Sequence, residues 1–424
     1  MKNRVVITGL GVVAPNGVGQ TSFLEAIQHG ISGIRFDEQL KELGFSCQIA
    51  GKPILTEAQI SAYFTPLELR NFLSSGILYG VLAACEAWED TGFEINKEST
   101  LDYDSGVIFG TGSSGVEKLR ESFYKIDQHE TRKLGSTSVA QTMSSGVSAY
   151  IGGKLGLGNW VTTNSSACAT GTESILMGFQ RIQHGLATRM LVGSTSDSGP
   201  YIWGGFDALR VCTYKHNNQP TLGSRPMSET AAGFVPGSGA GALVLESLES
   251  ALARGAKIYA EVLGGALNSG GQRNGGSMTA PNNEAVQNCI RKAIEHADIQ
   301  TNDIDAINGH LTATIKDAVE IQNWKEALQL SEGHFPYINT LKSQVGHCLS
   351  AAGSIESVAS VLQMKHQFVF PNINCEDLKP EIAALIPKEK IPQKLIQTPI
   401  NIVIKASFGF GDVNAAVIFK SFKK

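Results

Sequence analysis

Short strand-like runs of Val, Ile and small residues alternate with amphipathic helical runs along most of this chain, and that alternation leaves few folds open. Val5–Thr8, Ser105–Gly110, Met190–Gly193 and Ala242–Leu245 read as strands, and Phe23–His29, Ile77–Asp90 and Ala285–His296 as helices. The strand runs are apolar or small with almost no polar alternation, so both faces of the sheet are expected to be covered by helices in an α/β protein. Arg4-Val-Val-Ile-Thr-Gly-Leu-Gly-Val-Val13 is similar to Lys257-Ile-Tyr-Ala-Glu-Val-Leu-Gly-Gly-Ala266, a weak internal repeat of a strand followed by glycine-rich chain. The 46 glycines in 424 residues exceed the usual share of roughly 7%, which implies tight turns and close backbone contacts.

Composition narrows the function classes. The chain is 42% hydrophobic and 17% charged with a net charge of −4. A pI near 6.2 and near-zero mean hydropathy describe a globular protein with a large core, not a nucleic-acid binder. Met1-Lys-Asn-Arg runs straight into a strand, so no signal peptide is expected. No apolar run approaches the ~18 residues of a membrane helix. Seven cysteines, odd in number and without paired spacing, fit a reducing cytoplasm and no zinc site.

Cys168 lies in Asn164-Ser-Ser-Ala-Cys-Ala-Thr-Gly171. Trp160–Thr163 before it reads as a strand, and Ala169 to about Gln183 as a helix with Ile175, Phe179 and Ile182 on one stripe and Gly185 as its stop. A cysteine at that helix head meets free N–H groups that favour a thiolate and an oxyanion; the alternative is an inert buried thiol. Two further segments carry chemistry: Asn308-Gly-His-Leu-Thr-Ala-Thr314 with His310, and Lys342-Ser-Gln-Val-Gly-His347. His29, His129, His184, His216, His296, His334 and His366 read as ordinary core or surface residues. Gly110-Thr-Gly-Ser-Ser-Gly115 has dinucleotide-loop spacing, but a charged helix follows it where a second strand and its acidic end are required, so it reads as a pocket-lining turn.

Ala167-Cys-Ala-Thr-Gly171 resembles the nucleophile motif of thiolase-superfamily condensing enzymes. Lys342 to Gly353, Ser407-Phe-Gly-Phe-Gly411, Arg225-Pro-Met with Gly233-Phe-Val and Gly239-Ala-Gly241, and Arg4 to Gly11 resemble β-ketoacyl-acyl carrier protein synthases I and II. A second histidine, rather than a second cysteine or an asparagine, separates this pattern from degradative thiolases and CoA-primed synthases. The resemblance implies a five-layered αβαβα thiolase-like fold from two duplicated halves, residues 1–256 with the nucleophile and 257–424 with the histidines and lysine. It implies that Cys168 takes an acyl chain from an acyl carrier protein, that His310 and His347 promote decarboxylation of a malonyl thioester, and that Lys342 organises them. It implies further that the N–H groups of Cys168 and Phe410 form the oxyanion hole, with Phe410 as gate. By the same resemblance Ser113, Ser138, Phe206, Thr279, Pro281 and Phe408 are expected to contact substrate, and Arg132, Lys133 and Arg210 to receive the carrier protein. No metal or other cofactor is implied beyond the carrier's phosphopantetheine, and the assembly is a homodimer or a heterodimer with a related chain.

The chain departs from the family pattern at several points. Leu311-Thr-Ala-Thr-Ile315 stands where Gly-Thr-Ser-Thr-Pro is usual, and Asp317 falls one residue closer to His310. Ser238 replaces a glutamate, and Asp412-Val413 replaces Gly-Thr. Ser113 and Ser138 stand where bulkier apolar residues are common, which suggests a wider pocket suited to unsaturated or aryl acyl chains and a polyene or polyketide-type pathway. A non-catalytic chain-length factor is disfavoured because such subunits lack the cysteine. A simple acyltransferase would leave both histidines and Lys342 without a role.

Overall fold

The computed structural model describes residues 2–95, 100–330 and 335–423; His334 lies outside them. Among the described residues eleven strands form its central sheet, ten of them in one continuous order. Five come from the first half: β1 (Val5–Ala14), β2 (Ser105–Thr111), β3 (Val161–Thr162), β4 (Arg189–Ser196) and β5 (Gly239–Ser247). Five come from the second: β6 (Ala260–Ser269), β7 (Ala306–Asn308), β8 (Tyr337–Asn339), β9 (Ile402–Gly409) and β10 (Val413–Ser421). Their order is β8-β7-β9-β10-β6-β1-β5-β4-β2-β3, with the short strand Gly17–Val18 beside β1.

The order is symmetric about the β1–β6 junction. β5 runs antiparallel to β1 and β4, and β2 parallel to β4 and β3. β10 repeats this with β6 and β9, and β7 with β9 and β8. The halves join where Val5 faces Val262 and Ile7 faces Ala260 in antiparallel register.

Six helices complete the layers: α1 (Ser75–Asp90), α2 (Gly146–Leu155), α3 (Thr170–Gln183), α4 (Asn283–Ala297), α5 (Asp317–Leu328) and α6 (Ala352–His366). α1 and α2 cover one outer face, α4 with α5 the other, and α3 and α6 fill the middle, touching strands of both halves. This is the expected five-layered α/β arrangement. The middle helices are almost wholly buried, and Ile175, Phe179 and Ile182 of α3 share a core with Ile355, Val358 and Leu362 of α6.

β1 runs on from Thr8 to Ala14 through Gly9 and Gly11. A Cβ on Gly9 or Gly11 of β1 would lie 2.0 Å from the Ala87 carbonyl oxygen or 1.9 Å from that of Ala83. These glycines let α1 lie directly on the strand.

Candidate active site

Each middle helix is entered through the same device. A 3₁₀ turn, Ala167–Ala169, precedes α3, and a second, Leu349–Ala351, precedes α6. Both begin at a left-handed non-glycine residue, Ala167 at φ 50° and Leu349 at φ 51°. Such backbone persists only where its surroundings hold it. The helices then cross at glycines: a Cβ on Gly171 would lie 2.3 Å from the Ser354 nitrogen, and one on Gly353 2.6 Å from the Thr172 nitrogen. This crossing brings Cys168, beside Ala167, close to His347, beside Cys348 and Leu349.

His310 arrives from the end of β7. A ligand-type atom of Cys168, His310 and His347 lies within 4.8 Å of each of the others, and all three residues are buried. The imidazoles meet edge to face with centroids 5.3 Å apart. Phe408 packs at 6.2 Å from His310, and Phe234 at 5.2 Å from His347.

The tautomer of His347 follows from the backbone. Its Nδ1 accepts the Leu349 N–H at 3.2 Å, which leaves the proton on Nε2. Nδ1 of His310 is buried and has no protein partner among the described residues. Burial, then the charges of Lys342 and Lys405, hold both imidazoles well below the ordinary histidine pKa, so they are neutral N–H donors at pH 7.

Behind the rings lies a buried ionic cluster. Lys342 Nζ is 2.5 Å from one Glu356 oxygen, and Lys405 Nζ is 2.9 Å from the other. Neither Glu356 nor Lys405 follows from the motifs. The available signal is composition: Glu356 interrupts an otherwise uncharged, buried stretch of α6, and Lys405 sits in the buried run Ile402–Gly409.

Burial pushes the Cys168 thiol up to about 11, while Lys342 and the N–H groups of Phe410 and Cys168 pull it down. The helix-head position therefore does not make a thiolate in the free protein, because the buried sulfur loses more to desolvation than those groups return. The same two N–H groups are close enough to the sulfur to lower its pKa.

Cys168, His310 and His347 open into a cavity of about 260 Å³. Phe206, Thr279, Pro281, Phe408 and Phe410 line it, as do Thr312, Thr314 and Lys316, which the sequence reading did not single out. Phe410 lies against Phe206 at 5.9 Å. Ser113 and Ser138 do not line this cavity. Ser113 is exposed, and the Ser138 hydroxyl donates to the Leu134 carbonyl at 2.5 Å. Gly115 turns away at φ 60° to begin the helix Val116–Asp127, so the Gly110–Gly115 turn is not a wall of the cavity either. Arg132, Lys133 and Arg210 are exposed. Arg210 precedes Val211 at the cavity wall, and Lys133 pairs with Glu130 at 2.5 Å.

The departures have structural roles. Leu311 adopts φ 22°, which explains why glycine suits this position; here the side chain is fully buried instead. Glu320 holds the loop by accepting the N–H groups of His310 and Leu311, both at 2.7 Å, and burial raises its carboxyl to about 7. Asp317 accepts the Met227 and Thr312 N–H groups at 2.8 and 2.9 Å. Ser238 is buried and donates its N–H to the Gly51 carbonyl at 2.9 Å.

Comparison with known proteins identifies the family. The profile of the beta-ketoacyl synthase N-terminal domain matches residues 2–251, and that of the C-terminal domain residues 259–376. The chain is 33% identical to the chloroplastic 3-oxoacyl-[acyl-carrier-protein] synthase I of Arabidopsis thaliana, over 100% of this chain and 87% of that protein. A beta-ketoacyl synthase from Burkholderia phymatum superposes with TM-score 0.90 at 30% identity, covering 100% of both chains. A type II polyketide ketosynthase, solved with its acyl carrier protein and bound to the hexaketide, superposes with TM-score 0.87 at 28% identity, again over 100% of both chains. The chain belongs to the beta-ketoacyl synthase family.

Proposed function

We propose that the chain is a 3-oxoacyl-[acyl-carrier-protein] synthase that extends an acyl chain by decarboxylative condensation with malonyl-carrier protein. The observation that carries this is the buried Cys168–His310–His347 cluster, within 4.8 Å, at the base of a cavity. Cys168 sulfur attacks the acyl thioester, the acyl–cysteine bond forms, and the pantetheine thiol leaves with the proton. The malonyl thioester then binds. Its C–CO₂ bond breaks, carbon dioxide leaves, and the electron pair forms an enolate whose oxygen accepts N–H bonds from the two imidazoles. The enolate carbon attacks the acyl carbonyl, whose oxyanion accepts the N–H groups of Cys168 and Phe410. Collapse expels the cysteine thiolate, which takes a proton from water to restore the thiol, and releases the 3-oxoacyl thioester. Each neutral imidazole still carries one N–H to donate to the enolate oxygen.

No metal or redox cofactor enters this cycle; both substrates arrive on phosphopantetheine. The exposed Arg132, Lys133 and Arg210 are the docking cations for an acidic carrier protein. The chain pairs with a second copy or a related chain through the edge strand β3 and the helix Val116–Asp127. Val161 is 39% exposed, and Phe123 and Tyr124 are 57% and 67% exposed. The work is cytoplasmic, and no helix among the described residues is long and apolar enough to cross a membrane. We place it in polyene or polyketide-type elongation rather than primary fatty-acid synthesis. The departures at Leu311, Ser238 and Asp412 and the likeness to a polyketide ketosynthase support that choice.

The test is elongation with purified carrier proteins, read by intact-protein mass spectrometry. Wild type is expected to yield a 3-oxoacyl carrier and carbon dioxide, and Cys168→Ala neither a 3-oxoacyl product nor an acyl-enzyme. A Cys168→Ala protein that condenses normally refutes the reading. Competition between matched saturated and polyunsaturated acyl carriers tests the pathway, and a preference for the saturated chain refutes that part.

A further inference from the structure

Asp412 is fully buried, adopts φ 62°, and is wrapped by a loop. One carboxylate oxygen accepts the Gln272 N–H at 2.9 Å and the other the Asn282 N–H at 2.8 Å. Its carbonyl accepts the Gly270 N–H at 2.9 Å, and the neighbouring Gly411 N–H donates to the Met278 carbonyl at 2.8 Å. Gly270 and Gly276 make room for it. A Cβ on either would lie 2.2 or 2.4 Å from the Asp412 Oδ2.

The wrapped segment, residues 270–282, contains Gly270, Gly271, Gly275 and Gly276. A stretch so rich in glycine has high conformational entropy and needs an anchor to hold one shape. It carries Thr279 and Pro281 to the cavity wall. Asp412 itself lies two residues beyond Phe410, which lines the same cavity and whose N–H faces the Cys168 sulfur.

Resting on the condensing-enzyme reading, we infer that Asp412 is a positioning residue: it ties the Thr279–Pro281 wall to the Phe410 backbone, so the arm of the incoming thioester and the oxyanion N–H are held in one geometry. Without the carboxylate, the Gln272 and Asn282 N–H groups lose their partner, and the loop stays tied to the Phe410 turn only through the Gly270–Asp412 and Gly411–Met278 backbone bonds.

Asp412→Ala, Asp412→Asn and Gly276→Ala test it on the full-length protein. Hydrogen exchange is expected to speed up at least tenfold in residues 270–282 and 408–414 of Asp412→Ala, with other segments unchanged. Iodoacetamide alkylation of Cys168 is expected to slow at fixed pH, because the Phe410 N–H no longer steadies the thiolate. Displacing an oxyanion donor is expected to cut condensation kcat by about 10–100-fold. Asp412→Asn keeps one acceptor and is expected to fall between wild type and Ala; it also decides the matter if the Ala variant does not fold. Gly276→Ala pushes the carboxylate out and is expected to reproduce the loss, and adding it to Asp412→Ala is expected to cost little more. Unchanged exchange and alkylation in Asp412→Ala or Asp412→Asn overturns the inference, as does full additivity of the two sites. If wild type does not condense, the proposed function fails, while exchange and alkylation still judge the tether.

Discussion

Replacing Glu356 with glutamine strikes the cluster on which both histidines rest. The native cluster holds two ammoniums, Lys342 and Lys405, against one carboxylate, a net +1. Glu356→Gln makes it +2 where the three side chains are at most 2% exposed. Removing one partner of a buried ion pair costs about 3–5 kcal/mol, because the remaining charge has neither water nor counter-ion. Here two charges are stranded, so the upper part of that range is expected. Burial already lowers the Lys405 pKa while Glu356 raises it, so the substitution lowers it further. The folded state then binds fewer protons than the unfolded chain, and the sign of the linkage makes stability rise with pH up to the unfolded lysine value near ~10.4. The deficit of Glu356→Gln is therefore expected to shrink as pH rises toward that value. Guanidinium unfolding followed through the buried Trp203 and Trp324 measures both effects. Lys405→Met, which returns the cluster to zero net charge, is expected to cost less than Glu356→Gln. A Glu356→Gln protein within about 1 kcal/mol of wild type at pH 7, or Lys405→Met as the costlier variant, refutes the reasoning.

Three other outcomes are expected. His310→Ala or His347→Ala lowers malonyl decarboxylation by about 10²–10³-fold while acylation of Cys168 stays measurable by mass spectrometry; decarboxylation at the wild-type rate removes that histidine from the mechanism. Iodoacetamide alkylation of the free protein at Cys168 climbs with pH toward the thiol value of about 11, and a rate already level by pH 8 contradicts a buried, protonated thiol. Gly171→Ala destabilises the fold by about 1–3 kcal/mol or more, since its Cβ would meet the Ser354 nitrogen at 2.3 Å, and a melting temperature equal to wild type refutes the close crossing of α3 and α6.

Local sequence determined the elements that carry the chemistry. The turn at Cys168, the helix after it, the short segments around His310 and His347, and the apolar strands all follow from patterns within about twenty residues, because propensity, periodicity and turn chemistry are local. The family resemblance those motifs carry also implied the layered class and put Phe408 and Phe410 beside the nucleophile. What the tertiary structure alone decided is set by burial and by contacts between distant segments. The thiol sits near 11 instead of being depressed, because desolvation depends on everything packed around the sulfur. Lys342 and Lys405 become partners of Glu356 only when α6 and β9 meet across the core. Ser113 and Ser138 fall away from the cavity because the chain turns at Gly115 and the Ser138 hydroxyl faces its own helix turn. Asp412 reads in sequence as a mere departure, and it becomes an anchor only once a loop more than a hundred residues earlier in the chain closes around it. Composition and spacing report what a segment prefers; the dielectric, the partners and the space around a side chain belong to the whole packed molecule.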